Sequence, residues 1–179
     1  MNELIKTWLL DQGINSSYIE TSAMSIGLFL ILFISAISYY LAKNYLLKVV
    51  TKLILKTKNT WDNALIEYKV LSRLTLLLPF ILVLFLTPLV LPPGVLLASM
   101  LVLVTKVLLA FQIAQSISAV LNVSQSVYRE SAKQRYLPLN SIIQVIKLVV
   151  YLVTAIIVVA LIIDRSPVYL LSGLGALTA

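Results

Sequence analysis

Cysteine and histidine are both absent from the 179 residues of this chain. Their absence removes disulfides, thiolate metal ligands and catalysis by cysteine or histidine. No metal site, cofactor or enzymatic activity is expected. Charge is scarce as well: charged residues make up 12% of the chain, against about 25% in soluble domains. The acidic residues are Glu3, Asp11, Glu20, Asp62, Glu67, Glu130 and Asp164, and none falls within a long apolar run. A proton relay or ion-coupling site therefore lacks its usual intramembrane carboxylate, which counts against a secondary transporter. The first 22 residues carry Glu3, Asp11 and Glu20 against Lys6, the wrong sign for the basic opening of a cleavable signal peptide.

What the chain does have is apolar sequence: 60% of residues are hydrophobic and the mean hydropathy is +1.01. Soluble domains carry about 45–50% apolar residues, so this composition belongs to an integral membrane protein. Four runs approach the roughly 20 apolar residues that a membrane-spanning helix needs. They cover residues 23–42, 74–91, 95–121 and 142–163. Pro92, Pro93 and Gly94 separate the second run from the third, because proline removes a backbone donor and restricts the residue before it. Pro138 precedes the fourth, with Asn140 or Ser141 placed to cap it. The expected fold is all-α, a polytopic transmembrane helical bundle. Its expected parts are an external segment 1–22, a four-span region 23–163 with basic loops 43–73 and 124–141, and a final segment 164–179.

Basic residues set the expected orientation. Lys43, Lys48, Lys52, Lys56, Lys58, Lys69 and Arg73 lie between the first two runs. Arg129, Lys133 and Arg135 lie between the last two, with Lys147 just inside the fourth. Both loops should face the cytoplasm, leaving the N-terminus outside. The net charge of +7 sits beside apolar spans, so anionic lipid headgroups are the expected partner and nucleic acid is not. Lys48, Lys52 and Lys56 recur every four residues, as on an amphipathic extension of the first helix. Thr60 is placed to cap a new helix, which would carry Trp61, Leu65 and Tyr68 on one side. Trp61 and Tyr68 are expected at the membrane interface.

Several residues within the spans invite a functional reading. Lys106 stands about 18 Å into the third run at 1.5 Å per residue. A lysine at mid-membrane costs about 2.5–3.5 kcal/mol on insertion scales and is a functional hypothesis by default. The alternatives are a shifted span, a snorkelling side chain or pairing with a carbonyl. Gln112, Gln115, Ser116 and Ser118 could bond across helices, but their expected meaning is the emergence of the third helix into water. Pro79 and Pro88 should kink the second span. After Ser166-Pro167, the run Leu170-Leu171-Ser172-Gly173-Leu174-Gly175-Ala176-Leu177-Thr178-Ala179 opens a helix rich in small residues, which suits close packing or a narrow pore wall. It stops after about a dozen residues, short of a full span, so the chain is expected to be part of a longer subunit.

Taken together, Pro138-Leu139, Gln144-Val145-Ile146-Lys147 and the run from Ser166-Pro167 to Ala179 resemble the helix before the pore helix, and the start of the pore helix, in the small-conductance mechanosensitive channel superfamily. Thr60-Trp61-Asp62, followed by Leu65, is similar to the loop after the first helix in its miniconductance-type branch. The resemblance covers roughly residues 40 to 179. It implies a homo-oligomeric, heptameric channel of the bacterial cytoplasmic membrane, opened by membrane tension and releasing solutes under osmotic shock. On that likeness Gly173, Gly175, Ala176 and Ala179 would begin the pore-lining helix, and the four spans would sense tension. The rest of the pore helix and the large soluble vestibule of that superfamily have no counterpart in these residues. A small polytopic transporter and a non-conducting membrane adaptor are the competing readings.

Overall fold

A computed structural model describes residues 16–46, 48, 49, 52, 60–92, 94–130, 139–170 and 172. Among the described residues all regular structure is helical. Helix α1 (Ser16–Leu41) runs into a π-helical turn, Ala42–Leu46. Two short helices follow, α2 (Thr60–Glu67) and α3 (Val70–Thr75). Three long ones complete the fold: α4 (Leu77–Val90), α5 (Leu96–Glu130) and α6 (Leu139–Ile163). Four stretches are long and apolar enough to cross a membrane: Thr21–Tyr45, Val70–Val90, Leu96–Tyr128 and Asn140–Ile163. The second takes in both α3 and α4, so it starts a turn earlier than residue 74.

The breaks between elements have local causes. Lys69, in the left-handed region at φ 53°, turns the chain from α2 into α3. The irregularity at Leu76, between α3 and α4, lies just ahead of Pro79. Proline there has no N–H to offer the carbonyl of Thr75, four residues back. Gly94 takes φ 87° in the turn from α4 to α5, a conformation that glycine adopts without steric cost. Helix α5 has 35 residues, about 52 Å at 1.5 Å per residue. That exceeds a hydrocarbon core of roughly 30 Å.

The long helices pack in chain order: α1 against α4, α4 against α5, and α5 against α6. Two apolar clusters hold this row. Ile31, Val83, Val90 and Leu91, with Met24, Leu86, Ala98 and Leu101 around them, join α1, α4 and α5 near the Pro92–Gly94 turn. At the basic-loop end, Ala64, Val70, Ala119 and Val123 fix the α2–α3 hairpin to α5. Leu65, Tyr68 and Val127 pack around that second cluster.

Little of the apolar surface is covered. The four stretches bury 17%, 22%, 17% and 6% of their most apolar windows. Phe29, Phe85, Leu148 and Ile162 stand largely exposed. Exposed apolar surface on this scale marks an interaction with membrane or partner rather than with water.

Candidate functional site

The seam between α1 and α4 depends on small side chains. Ala23, Gly27, Ile31 and Ser35 recur every four residues of α1 and all are buried. A Cβ added at Gly27 would meet Val90 Cγ1 at 2.8 Å, closer than carbon atoms approach without something moving. Small residues at this spacing let membrane helices come together. Ser35 Oγ is buried without a hydrogen-bond partner among the described residues. Other hydroxyls turn back to their own helix: Thr87 Oγ1 donates to the Val83 carbonyl (2.6 Å), Thr105 Oγ1 to that of Leu101 (2.6 Å) and Thr154 Oγ1 to that of Val150 (2.7 Å). Where lipid surrounds a helix, no water is present to satisfy such groups.

Polar residues of α5 form a clamp with α3. Gln112 Nε2 donates to the Arg73 carbonyl at 2.8 Å, and Arg73 Nη1 donates to the Gln115 carbonyl at 2.9 Å. Ser116 Oγ donates to the Gln112 carbonyl at 2.8 Å. Gln112, Ser116 and Ser118 are buried. The expectation that these residues mark emergence into water is therefore corrected. The break near Leu76 places backbone carbonyls of the α3–α4 junction opposite α5, and Gln112 fills the need thus created.

Side chains also set the register of α5 against α6. Gln125 Nε2 donates to Asn140 Oδ1 at 2.8 Å, and the Lys147 ammonium donates to Asn122 Oδ1. Further along the pair, an almost wholly apolar groove of about 460 Å³ lies between Ala114, Ile117 and Val149 at one end and Lys106 and Leu161 at the other. The two helices run antiparallel, so this register sets Leu161 opposite Lys106 and Asp164 opposite Leu103.

Lys106 is exposed and lies where that groove meets a second cavity of about 640 Å³. The second cavity also takes in Leu84, Pro88, Leu103 and Asp164. Pro88, inside α4, withdraws the N–H that would have bonded the Leu84 carbonyl. Lys106 thus shares its surroundings with a freed carbonyl and a carboxylate.

Lys48 and Lys52 are exposed. Tyr68 is half-buried against the hairpin cluster, and Trp61 belongs to α2. Lys56, Gly173, Gly175, Ala176 and Ala179 lie outside the described residues. Among the described residues no group of histidine, cysteine or acidic side chains is placed to hold a metal ion. The small-residue seam and the Gln112–Arg73 clamp were missed by sequence reasoning. The four-residue spacing of Ala23, Gly27 and Ser35 was the available signal for the first; for the second it was the run of polar residues from Gln112 to Ser118, read instead as emergence into water. Comparison with family models, curated proteins and solved structures finds no match.

Proposed function

We propose that this chain is the tension-sensing membrane region of a channel subunit that opens when the bilayer is stretched. The observation that carries the reading is the row of α1, α4, α5 and α6, in which no more than 22% of any span's most apolar window is buried. A layer one helix thick presents its faces to lipid. Tension does work in proportion to in-plane area change, so helices able to tilt within such a layer couple bilayer strain to whatever they hold. A transporter instead encloses a midplane site between helices, commonly with an intramembrane carboxylate. The uncovered length of α6 leaves room for further copies of the chain, and the proposed assembly is a homo-oligomeric ring of about seven.

In this reading the basic loops face the cytoplasm of a bacterial cell and the N-terminus lies outside, by the Lys/Arg asymmetry. Lys48 and Lys52, both exposed, would meet anionic headgroups of the inner leaflet, each contributing about 1 kcal/mol of attraction. Gly173, Gly175, Ala176 and Ala179 would line the start of the pore, where an apolar constriction gates by dewetting.

The physiological test is survival of hypo-osmotic shock. Cells stripped of their own osmotic release channels should survive a sudden downshift when they express the full-length gene, and lyse with an empty vector. Lysis despite verified membrane insertion would contradict the channel reading and favour a non-conducting adaptor.

A further inference from the structure

Asp164 sets its charge against a local rule. It follows the last residue of α6 with φ 55°, a left-handed position that glycine or asparagine usually takes. The hydrogen bonds around it are those of a Schellman ending: Arg165 N donates to the Ala160 carbonyl at 2.9 Å, and Asp164 N to that of Leu161 at 3.4 Å. Its carboxylate also stands at the negative end of a 25-residue helix, where the aligned backbone dipoles disfavour an anion. An asparagine would meet the backbone requirement without that charge. A residue that breaks a local rule without a local gain points to a tertiary contact.

The adjacent cation is already engaged, since the Arg165 guanidinium lies 5.9 Å from the centre of the Tyr169 ring. Lys106 shares the 640 Å³ cavity with Asp164. The α5–α6 register puts Asp164 level with Leu103, about 4.5 Å along the helix from Lys106 at 1.5 Å per residue. Helical side chains lean toward the N-terminus of their own helix. For Lys106 that direction is toward the Asp164 level. The extended lysine side chain, roughly 6 Å from Cα to ammonium, covers the offset by snorkelling.

We propose that Lys106 and Asp164, which line one cavity but lie beyond ion-pair distance of each other in this structure, close into an ion pair that ties α5 to the turn leaving α6. Each residue removes the other's liability: the lysine gains a counter-charge at depth, and the carboxylate gains a cation at a helix end that opposes it. The pair resists separation of the two helices at the Pro92–Gly94 end. It does not depend on the channel reading.

The test uses the full-length protein in lipid nanodiscs and four forms: wild type, Asp164→Asn, Lys106→Met and the double variant. Local rules alone predict that Asp164→Asn raises the thermal midpoint, because asparagine tolerates the left-handed turn and removes the misplaced anion. The ion pair predicts the opposite sign in the wild-type background, a fall of a few degrees, and no fall in the Lys106→Met background. An equal effect of Asp164→Asn in both backgrounds would overturn the proposal and leave the Leu84 carbonyl as the partner of Lys106. A membrane-permeant carbodiimide, which joins an amine to a carboxylate only in contact, provides a check that needs no variant. A cross-linked peptide joining Lys106 to Asp164 is expected, and its absence, with other Lys–carboxylate links recovered, counts against the pair.

Discussion

Gly27 shows how much of this fold rests on single atoms. An alanine there places a Cβ 2.8 Å from Val90 Cγ1, and the branched valine side chain has little freedom to withdraw. Overpacking of this kind costs about 1–3 kcal/mol. Gly27→Ala should therefore lower the thermal stability of the purified protein, and Val90→Ala in the same chain should restore part of the loss. If both single variants destabilise and the double variant is the sum of the two, the close approach of α1 and α4 is not what the glycine serves. The Ser35 hydroxyl, buried without a hydrogen-bond partner among the described residues, sits on the same seam.

At the scale of elements, the spans were legible because an apolar run of about 20 residues has few other uses. Pro92, Pro93 and Gly94 marked their turn, and Thr60 marked the start of α2, because proline, glycine and capping residues act locally. For Gln112 and Ser116 the sequence offered two readings and no means to choose between them. A polar residue on an apolar helix reads the same whether it faces water or a carbonyl on another helix, and that carbonyl was exposed only by the break ahead of Pro79. The difference has a consequence for stability. Gln112→Met keeps the volume and removes the donor to the Arg73 carbonyl, so it should cost about 1–2 kcal/mol, measured by thermal or denaturant unfolding in micelles. A residue facing water would tolerate the change within about 0.5 kcal/mol. The hairpin of α2 and α3 belongs to the same lesson. Tyr68, expected at the headgroups, also packs against the cluster that joins α2 and α3 to α5, a contact that a linear reading does not reveal.

For the whole molecule, the four long helices make a chain-ordered row rather than a closed bundle, and α6 has the smallest buried share of its apolar window, 6%. Composition established that the chain belongs in a membrane; the open row is a property of packing, which composition does not encode. The proposal built on that row is that stretching the bilayer changes the conformation of this region and opens a pore. Pressure-clamped patch recording of the full-length protein in liposomes, under graded suction, tests it most directly. Discrete unitary currents whose open probability rises with tension are the predicted result. Silence up to patch rupture, with the protein verified as inserted and oligomeric, would contradict it.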